Sequence, residues 1–153
     1  MCIECDNPGI DSLALVRGII HDYGWFVQGV EGDPPWAYTV GLCEHDRPEL
    51  VLTGMPLERA AALLNAEAAY RLHFQEPVAG QRFRLRDGPA VEVVSVARPW
   101  AHLHTAVGLY GPEVSAAQLV HADDRGHWPW EPGYRSVRGV RGGQPVLGVR
   151  VAG

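Results

Sequence analysis

Lysine is absent: all thirteen basic residues of this 153-residue chain are arginine. That absence removes whole mechanisms. No Schiff base can form on a lysine amine, which excludes lysine-anchored pyridoxal phosphate and class I aldolase chemistry. No P-loop lysine exists to hold a β/γ-phosphate. Long apolar runs are missing as well, and the longest falls far short of the ~20 residues needed to span a bilayer. No membrane partner is therefore expected. No basic segment followed by an apolar stretch opens the sequence, so no signal peptide is read and the expected location is the cytoplasm. Positive charge is in short supply, with 13 basic against 18 acidic residues and a net charge of −5. Without a basic stripe to displace counterions, no nucleic-acid partner is expected. Arg82, Arg84 and Arg86 alternate along one segment and read as a solvated strand face. Serine is scarce, and none of Ser12, Ser95, Ser115 and Ser136 sits in Gly-x-Ser-x-Gly. No Gly-x-Gly-x-x-Gly opens a helix, so no Rossmann-type nucleotide is indicated.

Apolar residues make up 46% of the chain and charged residues 20%, with 18 glycines and 12 prolines scattered along it. This composition suits one domain over residues 1–153 with many turns. Residues 1–10 form a Cys-x-x-Cys segment. Leu13, Val16, Ile20 and Tyr23 then follow at helical spacing behind a cap at Asp11 or Ser12, and Gly24 stops the helix. Trp25 to Val30, Trp36 to Leu42 and Glu49 to Thr53 read as strands. Pro56 suits the first turn of a helix over Leu57 to about Leu72. Asp87-Gly88 marks a hairpin between Arg82–Arg86 and Ala90–Val96. A short helix is expected over Trp100 to Leu109 and a strand over Val114 to Ala122. A long irregular loop covers 123–143, and a last strand covers Val146 to Val151. Strands outnumber helices and hairpins are evident, so the expected class is α+β, with a mostly antiparallel sheet and two or three helices.

Four segments in order carry a resemblance to a known family. They are Met1-Cys2-Ile3-Glu4-Cys5-Asp6, then Ala37-Tyr38-Thr39-Val40-Gly41-Leu42 with Pro48-Glu49-Leu50, then Gln118-Leu119-Val120 through Trp128-Pro129-Trp130, and last Gln144-Pro145-Val146-Leu147-Gly148. Together they resemble the bacterial domain-of-unknown-function family 4262, in its actinobacterial type with a Met-Cys-x-x-Cys opening. His121 stands where that pattern leads one to expect an aromatic residue, often Trp. The resemblance implies no particular activity.

Two constellations carry possible chemistry. Cys2 and Cys5 have a spacing that lets both thiolates reach one Zn²⁺ at ~2.3 Å, or form a thiol redox pair. Completing such a site requires histidine or carboxylate. His102 and His104 are the best donors if that segment is extended, but they diverge if it is helical. His21 and His45 are further candidates. Cys43 lies near His45 in sequence, which is not the spatial pair that a Cys–His catalyst needs.

The second constellation runs from Asp123 to Glu131. Asp124 and Arg125 would orient a polar ligand there, while Trp128 and Trp130 exclude water. Asp123 and His127 are the candidate acid and base. Tyr38 and Thr39 are added as pocket residues on a strand that Gly41 interrupts. Gly139 to Gly143 is glycine-rich and can approach an anion through N–H groups, although a flexible loop also accounts for its composition.

These residues support a small metal- or ligand-binding domain with Cys2, Cys5, His102 and His104 around zinc. With an open coordination position it becomes a metal-assisted hydrolase. The alternative is a non-catalytic protein-interaction or immunity-like module using the Trp128/Trp130 loop. The partner is accordingly an unidentified small molecule or a protein.

Overall fold

The computed structural model describes residues 12–151. Helix α1 (Ser12–Tyr23) leads into β1 (Phe26–Val30) and β2 (Trp36–Val40), and a 3₁₀ turn (Leu42–His45) precedes β3 (Glu49–Thr53). Helix α2 (Leu57–Arg71) is followed by β4 (Arg82–Arg84) and β5 (Ala90–Ser95). Two short helices, α3 (Pro99–His102) and α4 (His104–Tyr110), precede β6 (Ala116–His121). The strands form one sheet in the order β1-β2-β3-β6-β5-β4. The central pair, β3 and β6, is parallel, and the other four neighbouring pairs are antiparallel. The class is α+β, as the strand-rich, hairpin-rich sequence implied. Among the described residues no helix is long and apolar enough to cross a membrane.

Both faces of the sheet are covered, which is why β3 is buried at every position. Alternation sorts its side chains. Leu50 and Leu52 join Ala37, Val91, Val93 and Leu119 under Leu63, Leu64 and Ala68 of α2. Val51 joins Tyr38 and Val40 on the opposite face, under Val16 and Ile20 of α1, Ala106 of α4 and Leu103 between α3 and α4.

Several boundaries differ from those the sequence suggested. Pro56 is the cap of α2 rather than its first turn, with φ −54° and ψ 137°. The helix expected over Trp100 to Leu109 is two helices, broken at the fully buried Leu103. The break lets the Tyr38 hydroxyl accept the Thr105 N–H at 3.0 Å and cap the second of them. Val146 to Val151 makes no strand. The Gln118 side chain clips this segment to β6 instead, with Oε1 accepting the Leu147 N–H at 2.7 Å and Nε2 donating to the Pro145 carbonyl at 2.7 Å. Pro145 and Gly148 disfavour a ladder, and a Cβ on Gly148 would lie 1.9 Å from the Ser95 carbonyl oxygen.

Candidate functional site

The parallel pair sets the site. Its ladder runs from Glu49–Ala116 to Val51–Gln118 and stops, while both strands continue. Beyond that point side chains bridge the two strands. Gln118 Nε2 donates to Thr53 Oγ1 at 3.1 Å, and His121 Nε2 lies 2.9 Å from the Thr53 carbonyl. The carbonyl only accepts, so Nε2 carries the proton and Nδ1 keeps the lone pair. Burial pushes the His121 pKa down, keeping the ring neutral, and the charge of Arg59 adds to this.

At these carboxyl ends a cleft of about 460 Å³ opens between Met55 and Arg59 at the start of α2, His121, and the loop that follows β6. Arg125, Arg135 and Arg138 come in from that loop, along with Asp123 and Asp124. Open sheets bind ligands where parallel strands end and the chain diverges, because there the core stops and loop side chains converge.

Asp123 organises the loop. Its Oδ1 accepts the N–H groups of Arg125 and His127, both at 2.9 Å, and its Oδ2 accepts the Arg135 N–H at 2.8 Å. Desolvation opposes ionisation, but these N–H donors outweigh it and hold the carboxyl below its usual range. A carboxylate so occupied is a scaffold rather than a proton donor. The sequence pattern proposed His127 as its partner in acid–base work. Its Nδ1 is 3.7 Å from Asp123 Oδ2, buried and without a hydrogen bond.

Trp128 and Trp130 lie elsewhere. They stack on each other at 5.5 Å with an interplanar angle of 1°. Arg82 covers the Trp128 ring at 4.5 Å and Arg150 covers the Trp130 ring at 3.5 Å. Both arginines converge on buried Glu92: Arg82 Nε donates to Oε1 at 2.9 Å and Arg150 Nε to Oε2 at 2.7 Å. The indoles thus clamp the loop and the 145–151 segment onto the sheet, and neither lines the cleft with Asp124 and Arg125. Arg82, read from sequence as part of a solvated face, is half-exposed yet engaged.

Tyr38 and Thr39 are buried and serve the scaffold. Thr39 Oγ1 donates to Glu49 Oε1 at 2.9 Å and accepts the Leu50 N–H at 2.8 Å. Glu49 also receives the N–H groups of Gly41, Leu42 and Cys43 at 3.0 to 3.3 Å. Gly41 sits at φ 112°, the left-handed region that favours glycine, and this aims the turn's amides at the carboxylate. Burial, with Glu49 beside it, pushes the Cys43 thiol up to about 12, so it stays protonated.

The proposed metal ligands fall in two places. Cys2 and Cys5 lie outside the described residues. His102 and His104 occupy consecutive short helices. His102 meets Trp36 edge-on at 6.2 Å, and His104 Nε2 lies 3.1 Å from the Ala101 carbonyl. His21 pairs with Asp22 and His45 with the Gly24 carbonyl, each at 3.3 Å. Among the described residues no group of three or more His, Cys, Asp or Glu is placed to hold a metal ion.

With the fold and the cleft in place, comparison with known proteins gives one match. The family model for DUF4262, a domain of unknown function, matches residues 19–135. The chain belongs to this family. No curated protein and no solved structure matches. The DUF4262 match spans all six strands and the C-terminal part of α1. It takes in Arg59, His121, Asp123, Arg125 and Arg135 of the cleft and stops short of Arg138.

The sequence missed Arg59, Arg135, Arg138 and His121 as partners in one site. Arg59 is distant in sequence from the other cleft arginines, so no local spacing links them. The available signal was the choice of arginine for every basic position, with several arginines on the long loop.

Proposed function

We propose that the domain binds an anionic ligand, seating carboxylate or phosphate groups in the cleft at the carboxyl ends of β3 and β6. One observation carries this reading. Arg59, Arg125, Arg135 and Arg138 line the cleft, and their guanidinium groups make no hydrogen bond or ion pair among the described residues, on a chain of net charge −5. Guanidinium forks match carboxylate and phosphate geometry bidentately. Of the two cleft aspartates, Asp123 already spends its oxygens on loop N–H groups. His121 supplies a neutral ring whose lone pair is on Nδ1. It can accept a ligand hydroxyl without repelling an anion, as a second carboxylate would.

Isothermal titration with citrate and with inorganic phosphate tests this. Arg59→Gln and Arg138→Gln should each weaken binding about tenfold, the loss of one charge-assisted hydrogen bond. Arg17→Gln, on α1 away from the cleft, should leave it unchanged. Equal affinity in all three variants, or no binding by the wild type, defeats the reading.

A further inference from the structure

The arginine cleft continues past its own wall. Arg59, Pro89, Asp123 and Asp124 line both it and a neighbouring depression of about 520 Å³. On the far side of that depression, Arg84 also lines a groove of about 1030 Å³ between the C-terminal half of α2 and β4. Shared lining residues thus set the three depressions side by side, as one trough that Arg84 and Arg59 border in turn.

The far groove has a different chemistry. Tyr70, Phe74 and Phe83 give it aromatic surface, and Tyr70 and Phe74 are 51% and 54% exposed. Arg84 and Arg86 stand on its rim. Glu67 is already matched by Arg71 at 2.7 Å, so the groove's surplus charge is positive. It also borders an open sheet edge. Leu85 N–H bonds the Pro89 carbonyl and Val93 N–H bonds the Gln81 carbonyl, which ties the odd-numbered residues of this strand to β5. By alternation, the main-chain N–H and C=O groups of Arg82 and Arg84 face away from the sheet. An extended chain can hydrogen-bond to such an edge.

We propose that the trough binds an extended acidic peptide segment carrying an aromatic or large apolar side chain. Its carboxylates lie along Arg84, Arg59 and the cleft arginines, and its apolar side chain lies against Tyr70 and Phe74. The proposal rests on the cleft being an anion site and names the anion's carrier. A single small molecule fits poorly, because the groove alone reaches the top of the range for small-ligand pockets, roughly 300–1,000 Å³, and two further depressions adjoin it.

A nucleic acid fits less well than a peptide. Asp87, Asp123 and Asp124 interrupt the arginines along the trough. The ring faces that bases stack on are also partly occupied. Tyr70 and Phe74 stack on each other at 4.4 Å, and Arg71 lies over the rings of Tyr70 and Phe83 at 5.4 and 4.6 Å.

The test is fluorescence anisotropy with a labelled peptide of alternating Asp and Glu around one Phe, run beside the citrate titration. Replacing the carboxylates by amides should abolish binding, and replacing the Phe by Ser should weaken it about tenfold. Phe74→Ala, at an exposed position, should reproduce that tenfold loss for the peptide and leave citrate unaffected. Arg59→Gln should weaken both. If citrate binds but the peptide binds no tighter, or Phe74→Ala changes nothing, the peptide proposal fails and the anion cleft stands. If neither probe binds, both readings fail together. Tighter binding of an oligothymidylate of equal length would overturn the proposal in favour of nucleic acid. Self-association abolished by Phe74→Ala would overturn it in favour of a second copy of the chain.

Discussion

Replacing Glu92 by Gln keeps the side chain's shape and removes the charge that two arginines share. The carboxylate is 5% exposed and receives Arg150 Nε at 2.7 Å, Arg150 Nη2 at 3.1 Å and Arg82 Nε at 2.9 Å. Hydrogen bonds to charged groups contribute ~1.5–3 kcal/mol each. The arginines are 36% and 51% exposed, so water recovers part of that when the charge is lost. The low end applies, at about 1.5 kcal/mol for each arginine and about 3 kcal/mol for the pair. For a domain of this length each kcal/mol moves Tm by roughly 2–4 °C, so Glu92→Gln should melt roughly 6–12 °C lower at neutral pH. The pH dependence has a definite sign. The hydrogen bond from Arg150, with Arg82 behind it, holds the Glu92 carboxyl below the ordinary 4.5. Its stabilisation is full above the unfolded value and fades as pH falls through the depressed folded value. Wild-type stability should therefore drop below pH 4.5, and the Gln variant should show less of that drop. Differential scanning calorimetry across the acid range, with indole fluorescence reporting on Trp128 and Trp130, reads both effects. A variant that melts within about a degree of wild type at neutral pH would show that the Arg82–Glu92–Arg150 cluster behaves as a solvated surface pair. The clamp described above would then be wrong.

Glu49→Ala strands the Thr39 hydroxyl and the N–H groups of Gly41, Leu42 and Cys43. At ~1 kcal/mol per orphaned donor, urea denaturation should show a loss of about 4 kcal/mol, and an unchanged midpoint would refute the buried acceptor. In protein carrying Cys2→Ser and Cys5→Ser, the Cys43 thiol, pushed up to about 12, should resist aromatic disulfide reagents at pH 8 until the chain unfolds. Rapid labelling of the native state would contradict that environment. Saturating citrate should raise the His121 pKa, followed by imidazole NMR, because an anion offsets the charge of Arg59 that helps to depress it. An unmoved His121 would place the citrate elsewhere.

The parts of the fold that depend on local spacing were legible. Val16 and Ile20 at helical intervals, the buried run Glu49 to Thr53, and Asp87-Gly88, with Asp87 at φ 56°, each encode their element within a few residues. What could not be read depends on contacts far apart in the chain. Leu103 breaks its helix where Thr105 meets Tyr38, 67 positions earlier. Val146 to Val151 has strand composition but spends its polar groups on Gln118 and Glu92. Trp128 and Trp130 looked like pocket walls because aromatic density alone cannot show that arginines from β4 and the chain's end cover their faces. Asp124 and Arg125, singled out on the long loop, line the cleft, but the local motif hid Arg59 and His121.

The clamp and the cleft form one mechanical unit, which links stability to binding. The loop that supplies Arg125, Arg135 and Arg138 leaves the sheet at the end of β6 and is held at two points. One is Asp123, which gathers the N–H groups of residues 125, 127 and 135. The other is the Trp128–Trp130 stack, pinned through Arg82 and Arg150 to Glu92 on β5. The arginines themselves stay exposed, lining the cleft that the loop shares with His121 and the start of α2. The opposite end of the parallel pair is arranged the other way, with Asp46, Glu76 and Glu113 around a depression of about 390 Å³ and Arg47 as its basic residue. Charge is thus sorted along the axis of β3 and β6, with guanidinium groups gathered where the strands splay. Weakening the Glu92 clamp would loosen the loop between its anchors and spread those arginines. Glu92→Gln, which touches no residue of the cleft, should therefore weaken citrate binding as well as lower Tm, whereas Glu49→Ala should lower stability alone as long as the chain remains folded.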